Sequence, residues 1–92
     1  MDKRQRLTEK AKETWDEMLR TDFDFDFVLD EYGTTKESAE ADAEHMLEGE
    51  GGIGYRSQIF ESFKNEEIEF VDIDALKAYM QEALVRELKA RL

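Results

Sequence analysis

The chain has 92 residues, enough for one hydrophobic core and too few for two. Its 24 Asp plus Glu against 13 Lys plus Arg give a formal net charge of -11. That charge repels polyanions, so direct nucleic-acid binding is excluded as a function class, because phosphate contacts need a basic face. Hydrophobic residues at 40% and aromatics at 11% suffice for a core despite a charged fraction of 40%, and no apolar run approaches the roughly 18 residues of a membrane span.

The first twelve residues are charged throughout and have no apolar stretch, unlike a secretory signal. There is no cysteine, hence no disulfide, thiol nucleophile or zinc ribbon. Both features fit a reducing cytoplasm, with basic surfaces as the attractive partners.

In chain order, Leu7, Ala11, Trp15, Met18 and Leu19 recur at helical spacing and predict a helix from about Lys3 to Arg20. The DFDFDF stretch alternates as a strand would. However, Phe25, Val28, Leu29 and Tyr32 fit i, i+3, i+4, i+7, with Asp22 or Asp24 as N-cap and Gly33 where a helix end wants glycine. A short helix is expected there.

Thr34 or Thr35 caps a third helix, with Glu37 three residues after Thr34 completing a capping box. It reaches about Glu48, with Ala39, Ala43, Met46 and Leu47 inward, and Gly49 to Gly54 break it. Tyr55, Ile59, Phe60 and Phe63 give a short fourth helix. Ile68 and Phe70 form an extended link. Asp72 or Asp74 caps a final helix with Leu76, Met80, Ala83, Leu84 and Leu88 on one face.

The expected fold class is all-α: one acidic domain over residues 1–92, with four to five helices and one short extended link. Phe25, Leu29, Tyr32, Met46, Phe60, Phe63, Leu76, Met80 and Leu84 are the expected core. Phe23 and Tyr55, which flank charged or glycine-rich segments, are candidates for an interface.

The charge is concentrated. Residues 1–20 carry a net of +1 and residues 56–92 a net of -2, whereas residues 21–55 hold eleven acids and one base, Lys36. The acids are Asp22, Asp24, Asp26, Asp30, Glu31, Glu37, Glu40, Asp42, Glu44, Glu48 and Glu50. Such a block opposes folding through self-repulsion, so it is read as a partner-binding surface rather than as solvation alone.

On the third helix Glu37, Glu40, Glu44 and Glu48 form one stripe. Carboxylates one turn apart lie roughly 5–6 Å apart along the axis, similar to phosphates along a DNA strand. A duplex carries one charge per roughly 1.7 Å, so ten net charges approximate about five base pairs. Asp22, Asp24 and Asp26 extend the surface, and a two-fold homodimer would double its length. On charge alone, replacing the four glutamates of the stripe should leave folding at least as favourable as before.

Chemistry-bearing constellations are weak. Asp22, Asp24, Asp26 and Asp30 match positions 1, 3, 5 and 9 of an EF-hand loop, but Phe27 stands where glycine is needed and Gly33 where glutamate is needed. Gly49, Gly51 and Gly54 spell G-x-G-x-x-G without a preceding strand, and read as a hinge between helices. Asp42 and His45 are three apart, with no second such pair to complete a metal site. No nucleophile–base arrangement is legible, so no catalytic residue, metal or cofactor is expected, and the chain reads as a non-enzyme.

The order of several pieces resembles the phage overcome-classical-restriction (Ocr) family of DNA-mimic anti-restriction proteins. These pieces are Glu17-Met18-Leu19-Arg20, His45-Met46, Tyr55 through Ile59-Phe60, Ile68-Glu69-Phe70, and the amphipathic stretch Leu76 to Leu88. The sequence departs from that family's pattern in lacking a proline before Tyr55, in its glycine-rich stretch there, and in lacking a strongly acidic C-terminal tail.

The resemblance implies a compact helical protein in the host cell cytoplasm, whose carboxylates imitate phosphates in the DNA-binding groove of a restriction or other defence complex. The alternative from charge alone is an acidic adaptor or regulatory module that binds a basic protein without copying DNA.

Overall fold

A computed structural model of the chain describes residues 2–49, 54–61 and 70–92. Five helices are described: α1 (Lys3–Thr21), α2 (Phe25–Tyr32), α3 (Ala39–Glu48), α4 (Tyr55–Glu61) and α5 (Ile73–Ala90). They hold 78% of the described residues, with no strand among them, as expected for an all-α protein. The sequence expectations for Phe63 and Ile68 lie outside the described residues. Phe70 sits in a turn rather than an extended link.

The two long helices frame the fold. In α1 an i, i+4 stripe of Leu7, Ala11, Trp15 and Leu19 is buried, and Asp2 caps the first turn by accepting from Gln5 N at 2.7 Å. In α5 the buried stripe is Leu76, Met80, Ala83, Leu84 and Leu88, with Asp72 as N-cap. Packing of these apolar stripes supplies most of the driving force, because propensity alone leaves short helices marginal.

Two side-chain bonds hold α1 and α5 in parallel register. Thr8 Oγ1 accepts from Asp72 N at 2.9 Å, and Tyr79 donates its hydroxyl to Asp16 at 2.8 Å. α3 packs on α5 and on α4, and α4 also meets α1, so one cluster of buried side chains draws on all five helices.

The DFDFDF stretch folds as a helix start. Asp24 accepts from Phe27 N at 3.0 Å and ends the alternation. Phe23 and Val28, one position before the cap and four after it, are both buried, the placement of a hydrophobic staple. Gly33 closes α2 at φ 60, with its N–H on Asp30 and the Thr34 N–H on Leu29, a Schellman closure that needs the left-handed region.

That closure moves the start of α3. Thr34 ends the preceding helix and its hydroxyl is buried without a partner, so it does not form the expected box with Glu37. The box is built instead by Thr35 and Ser38. Thr35 Oγ1 accepts from Ser38 N at 3.1 Å, and Ser38 Oγ accepts from Thr35 N at 2.8 Å.

One expected core residue and two expected interface residues are placed differently. Tyr32 is 39% exposed, because it stands in the last turn of α2 beyond the buried edge. Phe23 is buried rather than free for an interface, with ring centroids 4.6 Å from Phe25 and 4.9 Å from Tyr55. Tyr55 is half-buried in that same aromatic group, 5.9 Å from Trp15. Leu29 and Phe60 pack at the core's edge, while Phe25, Met46, Leu76, Met80 and Leu84 are buried as expected.

Candidate functional site: the acidic surface of α2 and α3

Most of the acidic block faces solvent. Asp22, Asp24, Asp26, Asp30 and Glu31 are exposed along α2 and its approach, and Glu37, Glu40, Glu44 and Glu48 along the turn before α3 and the helix itself. Asp42 is half-buried and accepts from Ser38 Oγ at 2.8 Å. Glu50 lies outside the described residues. The two acidic helices are neighbours, because the Tyr32 ring meets His45 edge-on at 5.7 Å and brings the end of α2 against the middle of α3. His45 thus serves packing on this face.

Two features alter the regular stripe. Glu37 precedes α3, so only Glu40, Glu44 and Glu48 share the helical i, i+4 row. Two of these share one cation: Arg56, from α4, pairs with Glu48 and lies 3.4 Å from Glu44. Its guanidinium stem is buried, at 8% exposure for the residue, while the two glutamate side chains remain 53% and 58% exposed. Arg56 is therefore a structural cation clamped by two carboxylates of the stripe.

The glycine break makes the clamp. Gly54 donates its N–H to the carbonyl of Glu48 at 3.0 Å and approaches the backbone of residues 47–49 so closely that no Cβ fits. With that reversal, residues placed about evenly on either side of the glycines face each other. This spacing was the available signal for Arg56, one residue beyond the acidic block as counted along the chain.

The remaining carboxylates keep their charge free. Asp26, Asp30, Glu31, Glu37 and Glu40 make no ion pair among the described residues, and neither does Lys36. Phe27 stands among them at 62% exposure, the most exposed large hydrophobic among the described residues, and its outward ring was not anticipated from the sequence. An aromatic ring amid unpaired carboxylates is suited to a partner surface that is basic with an apolar spot.

The EF-hand spacing is occupied by a cap and a helix, since residues 25–32 are helical and Asp24 is committed to Phe27 N. Among the described residues no three His, Asp or Glu side chains converge as a metal cage would require. The nearest shifted group is Tyr55, whose phenol is pushed up from its ordinary value by burial first and by Tyr32 second. No helix among the described residues is long and apolar enough to cross a membrane. Comparison with protein-family models, with curated proteins and with solved structures found no match to this chain.

Proposed function

We propose that this protein is a non-enzymatic inhibitor that presents the α2–α3 acidic surface to the DNA-binding groove of a host defence or other DNA-binding protein and occupies the place of DNA. The observation that carries the reading is the set of unpaired, exposed carboxylates Asp26, Asp30, Glu31, Glu37 and Glu40 on two adjoining elements. An uncompensated field of one sign steers a basic partner over long range and speeds association. The resemblance to the anti-restriction family supports the same target class.

The Arg56 clamp favours a second reading. It places a positive charge against two of the three regularly spaced carboxylates of α3 and cancels one unit of their charge. What remains is an acidic surface with an exposed phenylalanine, which also suits an adaptor that binds a basic protein beside its DNA.

The test is capture of the partner from host extract, followed by competition with duplex DNA. Exclusion of DNA supports the mimic, and a ternary complex supports the adaptor. Neutralising Asp26, Asp30, Glu37 and Glu40 together should weaken binding by about 1–3 kcal/mol, since each exposed pair is worth about 0–1 kcal/mol. The charge-matched control replaces Glu13, Glu17, Glu61 and Glu82, all exposed elsewhere. Equal losses in both variants would reduce the effect to net charge and sink the surface assignment.

A further inference from the structure

A groove of about 530 Å³ runs between the C-terminal halves of α1 and α5 and the start of α2. Its chemistry runs against that of the whole molecule. Three of the chain's six arginines, Arg20, Arg86 and Arg91, line it. Two acids share the wall, and both are engaged: Asp16 takes the Tyr79 hydroxyl and Glu87 takes Arg91 at 2.7 Å. Arg20 and Arg86 have no carboxylate partner among the described residues. The floor is apolar, made by Leu19, Phe23 and Phe25, all buried. The Arg91 guanidinium lies 3.8 Å over the Phe25 ring, so that floor already accepts a flat group stacked on it.

We propose that this groove binds a small organic anion, a planar apolar body carrying one sulfonate, carboxylate or phosphate. The ring stacks on the outer face of the Arg91 guanidinium, whose inner face covers Phe25, and the anionic group is held between the guanidiniums of Arg20 and Arg86. Size agrees, since small-molecule sites span about 300–1,000 Å³, and the groove's exposed lining is more polar than apolar, which favours a charged ligand over a neutral one. Arginine suits the anion better than lysine, because its planar fork gives two parallel hydrogen bonds to a carboxylate or phosphate.

A competing role for the same cations is compensation of helix ends. Arg20 lies in the last turn of α1 and Arg91 follows α5, where a positive charge meets unsatisfied carbonyls. Arg86 lies within α5, short of its last turn, and has no such duty.

The probe is 8-anilinonaphthalene-1-sulfonate, titrated against the folded full chain. The single tryptophan, Trp15, is buried with its ring 6.5 Å from Phe23, so energy transfer from Trp15 reports that the probe is bound to the chain, and the arginine variants and shift mapping report where. The expected result is one saturable site per chain, with the uncharged N-phenyl-1-naphthylamine binding at least tenfold more weakly. Arg20→Gln with Arg86→Gln should raise the dissociation constant at least tenfold at an unchanged thermal midpoint. Unsaturable binding, equal affinity for both probes, or a double variant that binds like the parent would overturn the proposal. Should the double variant melt early, Arg86→Lys and amide shift mapping decide. Probe-induced shifts at Leu19, Phe23 and Arg86 support the site, and their absence refutes it.

Discussion

The Arg56 clamp turns a charge argument into a stability test. Counting charge alone, removing glutamates from the acidic block relieves repulsion and favours folding. The structure splits that expectation between two pairs of residues. Among the described residues Glu37 and Glu40 have no cationic partner, whereas Glu44 and Glu48 hold a buried guanidinium. Breaking a fully buried ion pair costs about 3–5 kcal/mol, but both glutamates are more than half exposed, which returns each pair to the scale of about 0–1 kcal/mol.

The double variant Glu44→Gln/Glu48→Gln therefore forfeits up to about 2 kcal/mol. Relief of repulsion between carboxylates one turn apart offsets about 0.5 kcal/mol of this at physiological salt. A net loss of about 1 kcal/mol lowers the thermal midpoint by roughly 4–8 °C in a domain of this size.

Glu37→Gln/Glu40→Gln makes the same change in net charge and should leave the midpoint level or slightly raised. Adding Arg56→Met to the Glu44/Glu48 variant removes the stranded cation and should recover most of the loss, because an apolar side chain of similar length replaces a charge without a partner. Thermal melts followed by circular dichroism at one pH and salt concentration compare all four proteins. If the two double variants melt together, Arg56 is not held by these carboxylates in solution and the reasoning fails.

Three further outcomes are expected. Gly54→Ala should destabilise by about 3 kcal/mol or prevent folding, since the added methyl would fall on the backbone of Leu47 to Gly49; a melting midpoint equal to the parent's would contradict that close approach. Thr8→Val should cost about 1–2 kcal/mol, measured by urea denaturation, because the Asp72 N–H loses its acceptor. The Tyr79 phenol is raised, first by its hydrogen bond to Asp16 and then by burial. The folded state therefore holds that proton more tightly than the unfolded chain, so the stability it gives is complete below about pH 10 and is lost as pH rises through the folded value. Tyr79→Phe should flatten that alkaline dependence and remove a late-titrating phase of tyrosinate absorbance.

How far the sequence could be read depended on whether a signal was local. α1, α2 and α5 were legible because each begins at an aspartate that bonds to the N–H three residues on and carries its apolar stripe within its own length. The start of α3 was misread because Thr34 and Thr35 offer the same hydroxyl, and only the Schellman closure of α2 decides which of them is free to cap.

Phe23, Phe25 and Phe27 have the same local pattern yet end with two inward and one outward, since the cap at Asp24 switches the period from two to 3.6. The acidic surface was visible as composition, but its effective charge was not. Arg56 acts across a helical reversal, and a net charge summed along the chain does not register that fold-back.

The register of α1 against α5 also governs when the chain can acquire structure. The bonds joining Thr8 to Asp72 and Asp16 to Tyr79 span 64 and 63 positions, and α5 supplies four of the seven largest fully buried side chains. During synthesis the first four helices emerge with Trp15 met only by Phe23 and Tyr55, because the α5 surface that covers the rest of the α1 stripe has not yet been made. Contacts of such long sequence separation form late and slowly. The nascent protein should thus stay open until α5 leaves the ribosome and then close in one step, so that ribosome-bound chains stalled before residue 73 remain sensitive to protease along α1.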